Sequence, residues 1–202
     1  MPGPRLPGPA ESAASRRGRH CRIPLITGRK PLWAPLRWRW IQATYPEYLE
    51  ELAEVSHAGT GVFPIFGEHG PRDSELPARW FRDDRSHPLV ILHAGRPAGF
   101  ALVSRPRAPA RSAGPRPPEA PDYRLAEFFV RRTDRRRGIG RAAAALIFSR
   151  FAGRWEVSEA TSNAEAVAFW RRVIMAYTRG RYDERVADGE VRQRFSSIDL
   201  PR

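Results

Sequence analysis

The chain contains one cysteine and one lysine in 202 residues, and no apolar run long enough to cross a bilayer. Each shortage excludes something. Cys21 alone can form no internal disulfide, so the fold is expected to hold without a covalent cross-link, and the cytoplasm is the default compartment. A membrane-spanning helix needs roughly 20 apolar residues, and the N-terminus lacks the apolar stretch of a secretory signal, so no membrane partner is expected. His20, His57, His69, His87 and His93 are scattered without metal-ligand spacing, and no metal is expected. No Gly-x-Ser-x-Gly elbow or Cys/His pairing offers a covalent nucleophile.

With Lys30 as the only lysine, the formal charge of +13 rests on arginine. Clustered basic residues neutralise phosphates, so a nucleic-acid partner is one reading. The distribution weakens it. Within Met1–Trp40 nine basic residues stand against Glu11, which puts most of the excess outside the core-forming sequence. Abundant Arg, Ala, Pro and Gly also follow from coding bias. At 41% apolar and 28% charged residues the remainder is globular, and the length suits one domain plus a tail.

Residues 1–35 are rich in Pro, Gly, Ser and Arg without apolar period, and read as a loosely structured basic tail. The domain is then 36–202. Leu36, Trp38 and Trp40 alternate with Arg37 and Arg39, which predicts a strand. Thr44 and Glu47 have capping-box spacing, with Pro46 in the first turn of a helix that carries Tyr45, Tyr48, Leu49, Leu52 and Val55 on one face and ends at Gly59 and Gly61. Glu47, Glu50, Glu51 and Glu54 read as its solvated face. A second helix is expected over Glu75–Asp83 with Ser74 as cap. Strands Leu89–His93 and Gly99–Ser104 follow, joined by a turn at Gly95-Arg96-Pro97. The proline-rich run 106–121 reads as a solvated connection.

Leu125–Val130 is apolar and short enough for a central strand. Arg131–Arg141 follows, then a helix over Ala142–Phe151, a strand at Trp155–Ser158, and a helix from a Ser162/Glu165 capping box through Ile174. Two short strands near Met175–Tyr182 and Val191–Ile198 complete the pattern. The order strand, glycine-containing turn, helix around Arg135 suits an anion, because a helix start presents unpaired amides and the positive end of its dipole. Bare Gly138 and Gly140 would let those amides converge on phosphate oxygens. Neither common nucleotide fingerprint fits: no Lys-Ser or Lys-Thr follows the second glycine, and no third glycine has dinucleotide spacing.

Arg135-Arg136-Arg137-Gly138-Ile139-Gly140 resembles the pyrophosphate motif of the GNAT family of N-acetyltransferases: Gln or Arg, two residues, Gly, one residue, then Gly or Ala. Val130 stands five positions earlier, where that family has the strand residue whose backbone pairs with pantetheine. Asn163, Ala166, Phe169 and Trp170 match its Asn-x-x-Ala-x-x-aromatic-aromatic helix. By element order the likeness spans Leu36–Ile198, and by motif Leu125–Ile174.

The resemblance implies an α/β fold: a mixed, centrally splayed sheet with helices on both faces. It implies acetyl-CoA or another acyl-CoA as co-substrate, without metal, held by Phe129, Val130, Arg135, Arg136, Arg137, Gly138, Ile139, Gly140, Arg141, Asn163, Phe169 and Trp170. The acyl group would pass directly, in a ternary complex, to a small-molecule or peptide amine, in a monomer or homodimer. Trp170 stands where many members carry a tyrosine that protonates the leaving thiolate, and indole is no practical acid. Tyr177 is the substitute considered. Glu127, on the strand beside the expected thioester, is the base considered, with a structural carboxylate paired to arginine as its alternative. Phe128, Phe129, Phe169 and Trp170 also read as core, and Asn163 as a helix start. A non-catalytic acyl-CoA-binding regulatory module and a basic nucleic-acid-binding protein are the rival functions.

Overall fold

Side-chain alternation along one strand organises the molecule. In β3 (Arg96–Ser104), Phe100 and Leu102 point to one face of the sheet while Ala101 and Val103 point to the other, and all four are fully buried. A strand buried on both faces needs a layer on each side. The computed structural model describes residues 21–22, 34–57, 73–106 and 120–198. The helix end at Gly59 and Gly61, most of the expected tail and residues 107–119 of the proline-rich connection lie outside them.

Among the described residues the elements are β1 (Cys21–Arg22), α1 (Ala34–His57), α2 (Leu76–Arg82), β2 (Ser86–His93), β3, β4 (Tyr123–Val130), a 3₁₀ turn (Arg132–Asp134), α3 (Ile139–Arg150), β5 (Arg154–Ala160), α4 (Ala164–Thr178), β6 (Asp183–Ala187) and β7 (Glu190–Ser196). The sheet order is β1-β2-β3-β4-β5-β7-β6. Every neighbouring pair is antiparallel except β4 with β5, so the sheet is mixed, as expected. Cys21 and Arg22, from the segment read as tail, pair with His93 and Leu92 at the sheet's edge.

One face is covered by α1 and α2 through Ile41, Tyr45, Tyr48, Leu76 and Trp80, which close over Phe100, Leu102 and Phe129. The other is covered by α3 and α4, with Ile147, Phe148, Trp170 and Ile174 over Ala101, Val103, Leu125 and Trp155.

Several local expectations are corrected. Leu36–Trp40 is helix, not strand: Trp38, Ile41, Tyr45, Tyr48 and Leu52 recur three and four residues apart, and that longer period outweighs a five-residue alternation. Trp38 sets its ring edge-on to Phe81 of α2. Pro46 therefore lies inside α1 rather than in its first turn, on the exposed side, where its missing N–H leaves the carbonyl of exposed Gln42. Ser74 does not cap α2; the cap position is Glu75, whose amide donates to Asp73 Oδ1 at 2.9 Å. Ser162 does not cap α4; Asn163 does, its Oδ1 accepting from the Ala166 amide at 3.1 Å. Met175–Tyr182 is not a strand. Val167, Trp170, Val173, Ile174 and Thr178 keep helical spacing against the core, so α4 runs to Thr178 and stops at Arg179 in the left-handed region (φ 56°). The turn between β2 and β3 lies at Ala94 (φ 50°) and Gly95 (φ 80°), one residue earlier than expected.

Candidate active site

The parallel pairing of β4 with β5 is short. Tyr123, Arg124 and Leu125 pair with Trp155, Glu156 and Val157, and there the pairing stops, although both strands continue. The second half of β4 thus keeps β3 on one side and faces a gap on the other. The Arg131 amide donates to Ala98 O of the β3 side at 2.9 Å. Main-chain groups alternate in direction along a strand, so those of Phe128 and Val130 point into the gap. This is the splay that the family resemblance implied.

A bulge decides which side chains border it. Val103 faces Leu125 and Leu102 faces Glu127, so Ala126 is the extra residue of β4. Without it, strict alternation would keep Glu127 on the α3/α4 face with Leu125. With it, Glu127 shares the α1/α2 face with Leu102, and Phe128 turns toward α4. Glu127 is only 5% exposed and accepts a hydrogen bond at Oε2 from the Tyr48 hydroxyl of α1. No cue to this pairing stands in the sequence: the partners are 79 residues apart, and Tyr48 reads as one more core aromatic. The contact described at Oε2 is with a phenol.

At the end of β4 the chain enters the arginine-rich turn. Arg136 (φ 60°) and Gly138 (φ 76°) both take the left-handed conformation, and Gly138 is the N-cap of α3, with no side chain closing the cap. The first amides of α3, from Ile139 through Arg141, have no acceptor within the helix. The two glycines have different jobs. A Cβ at Gly138 would meet nothing within 4 Å, so that glycine is there for its backbone and leaves the space in front of the turn open. A Cβ at Gly140 would sit 3.2 Å from the Phe169 ring, so that glycine lets α3 close on α4. The space in front of the backbone is thus open at Gly138 and bordered by the Phe169 ring at Gly140.

Arg135 does not point into the open space. Its Nε donates to Val130 O at 2.8 Å, its guanidinium lies 5.7 Å over the Phe129 ring centroid, and it pairs with Glu51 of α1. Arg131 pairs with Glu47 at 3.4 Å, and Arg132 with Glu51 at 3.1 Å and with Glu54. Three of the four carboxylates read as a solvated face, Glu47, Glu51 and Glu54, therefore fasten the turn to α1. Arg136, Arg137 and Arg141 are exposed beside the turn, Arg137 at 3.9 Å from Asp134.

On the other face Phe128 stacks on Phe169 at 6.0 Å and meets Trp170 edge-on at 5.0 Å. Trp170 is buried, so it serves as core at the edge of the gap. Tyr177 packs on Phe148 and Phe195 near the paired end of the strands, and its hydroxyl lies 3.2 Å from Ser149 Oγ. It is across the sheet from Glu127, and the structure does not bring these two together. Among the described residues no group of three His, Cys, Asp or Glu is placed to hold a metal, and no helix is long and apolar enough to cross a membrane.

The fold is similar to that of an acetyltransferase of the GNAT family from Streptococcus agalactiae, at 14% identity and a TM-score of 0.57, over 90% of this chain and 96% of that one. An acetyltransferase from Thermus thermophilus is similar at 18% identity and a TM-score of 0.48, over 87% and 96% of the two chains. An acetyltransferase from Bacillus subtilis in complex with CoA is similar at 9% identity and a TM-score of 0.44, over 88% and 98%. None of the curated proteins compared matches the chain. The acetyltransferase (GNAT) family profile matches residues 37–174, more than half of the sequence and the whole of the splayed strands and the turn; the chain belongs to that family.

Proposed function

We propose that the protein transfers an acetyl or other short acyl group from acyl-CoA to an amine, directly and in a ternary complex. The observation that carries this reading is the open left-handed cap at Gly138, in the turn that follows a strand whose parallel partner has turned away. The residues fit an acyl-CoA. The amides of Ile139 through Arg141 would hold the pyrophosphate, with Arg136, Arg137 and Arg141 around it. The main-chain groups of Phe128 and Val130 would pair with the pantetheine, and Phe169 would flank it. Each charge-assisted hydrogen bond contributes on the order of 1.5–3 kcal/mol, so three or four supply most of the roughly 8 kcal/mol that micromolar binding requires.

The bound co-substrate supplies a thioester, whose thiolate, with a pKa near 8.5, leaves without a dedicated acid. What the chain must add is a proton acceptor. A lysine-like amine, pKa near 10.4, is neutral in only about one part in a few thousand at pH 7, a penalty of roughly 4–5 kcal/mol. Glu127 is the buried carboxylate on the strand bordering the gap, and its role is to take that proton. The α1/α2 face is then the acceptor side and the α3/α4 face the CoA side, with transfer through the splay.

Mixing the protein with acetyl-CoA and a panel of amines, small molecules and peptides included, and following free thiol is the direct test. Turnover with intersecting initial-velocity lines is expected. Silence with every amine despite CoA binding would replace the enzyme by a regulatory binding module, and parallel lines would remove the ternary complex.

A further inference from the structure

Tyr48 occupies a position that core packing alone does not require. Its ring packs edge-on against Phe100, with centroids 5.5 Å apart, and beside Phe129 at 5.5 Å and Tyr45 at 5.6 Å. A phenylalanine would fill the same space. The hydroxyl is what differs, and it is spent on Glu127 Oε2 in a contact between two buried residues.

We propose that Tyr48 is a positioning residue of the acyl-transfer site: its O–H, donated to Glu127, fixes the direction of the carboxylate and keeps it free of a proton. This rests on the reading of Glu127 as the base. A carboxylate taken out of water favours its neutral form, and a neutral carboxyl accepts no proton from an amine. A hydrogen bond donated to the charged form acts the other way.

Among the described residues, the charged groups on this side of the sheet pair largely with one another. On the face that Glu127 shares, β3 presents Leu102 and Phe100, and α2 presents Leu76 and Trp80, none of them charged. Of the α1 carboxylates, Glu47, Glu51 and Glu54 are each paired with an arginine of the Arg131–Arg135 segment, and Glu50 is exposed. Arg135 also lies toward this face, where it holds Val130 O, Glu51 and the Phe129 ring. The bulge at Ala126 belongs to the same device, because it puts Glu127 on the face where α1 can reach it.

The experiment is the pH profile of kcat/KM for the full chain and for Tyr48→Phe, with the best amine from the panel. A hydrogen bond to a charged group, once lost, moves the carboxyl by about one to two pH units. The acid limb is therefore expected to rise by that amount, a tenfold to hundredfold loss on the limb, with the plateau and CoA affinity kept. An unmoved limb overturns the proposal.

Because Tyr48→Phe could disturb folding, difluorotyrosine at position 48 serves as a second variant. It keeps the ring and strengthens the donor, and the limb is expected to fall; a rise or no change counts against the idea. Infrared titration of the carboxyl band that Glu127→Gln removes reads the same protonation without turnover. If Glu127→Gln keeps full activity, the base reading fails alone, while a band that titrates higher in Tyr48→Phe still upholds the hold of Tyr48 on Glu127. A band that does not move removes that hold as well.

Discussion

Two glutamates on neighbouring strands are buried almost equally, and their surroundings make them opposites. Glu127 of β4 is 5% exposed and Glu159 of β5 is 8% exposed, both beyond the point where the two strands stop pairing. Glu127 faces α1 and receives the Tyr48 hydroxyl. Glu159 faces α4, and neither of its carboxyl oxygens has a hydrogen-bond partner. Burial pushes Glu159 up to about 8, helped by the charges of Glu184 and Glu190 and opposed by Arg171. Burial without a donor makes a carboxyl that keeps its proton at pH 7. A donor to the charged form, such as Tyr48 gives Glu127, acts the other way, which is what the proposed role of Glu127 as base requires.

The largest effect that separates the two is on turnover. Glu127→Gln is expected to lower kcat by about 10²-fold or more, the usual worth of a general base, with CoA affinity unchanged by calorimetry. Glu159→Gln is expected to leave kcat within a fewfold, because a neutral amide resembles the protonated acid it replaces. Equal losses in the two variants would erase the contrast and return Glu127 to a structural role.

The next effect is on stability, and it runs the other way. The folded pKa of Glu159 lies above the unfolded value, so between about pH 4.5 and about pH 8 the native state holds the extra proton. Stability from this group is therefore complete below that window and is lost as pH rises through about 8. Glu159→Gln removes the dependence. Urea denaturation of both proteins is expected to give matching values near pH 4.5, while by pH 9 the variant is the more stable by on the order of 2–4 kcal/mol. Parallel stability–pH curves would show that Glu159 is not held neutral.

The sequence singled out Glu127 as a candidate base but gave no sign of its phenol partner, and it gave no sign that Glu159 is buried. Glu159 fell one residue past the expected strand Trp155–Ser158, which in the structure runs on to Ala160, and what divides the two carboxyls is a bulge and two helices that arrive from far along the chain. The element order was legible because β4, α3 and β5 carry strong local signals: an unbroken apolar run, glycines before an alanine-rich helix, and a short alternating strand. The turn at Arg135–Gly140 was legible for the same reason, since its chemistry is local. The start of α1 was not, because five alternating residues imitate a strand until the period of the following fifteen is set beside them. The cap of α4 was missed by one residue, because Ser162 and Asn163 are both good caps and only the geometry chooses. The separate tasks of Gly138 and Gly140 could not be read at all, since the second depends on where Phe169 of α4 comes to rest.

The smallest effect sharpens the comparison by altering the neighbours of Glu159 rather than Glu159 itself. Glu184 holds Arg171 through two contacts of Nε at 3.0 Å and takes a hydrogen bond from Gln193 at 2.8 Å. That pair is half-exposed, so breaking it costs about 1 kcal/mol or less. Glu184→Gln also removes the like charge that raises Glu159 and releases Arg171 to act on it. The window in which stability falls should then close at a lower pH, by less than about one unit for a screened surface charge. The measurement is the midpoint of the difference between the stability–pH curves of Glu184→Gln and of Glu184→Gln combined with Glu159→Gln. A midpoint that stays near 8 would mean that desolvation under α4 alone sets the proton affinity of Glu159, and that its acidic neighbours contribute nothing to its contrast with Glu127.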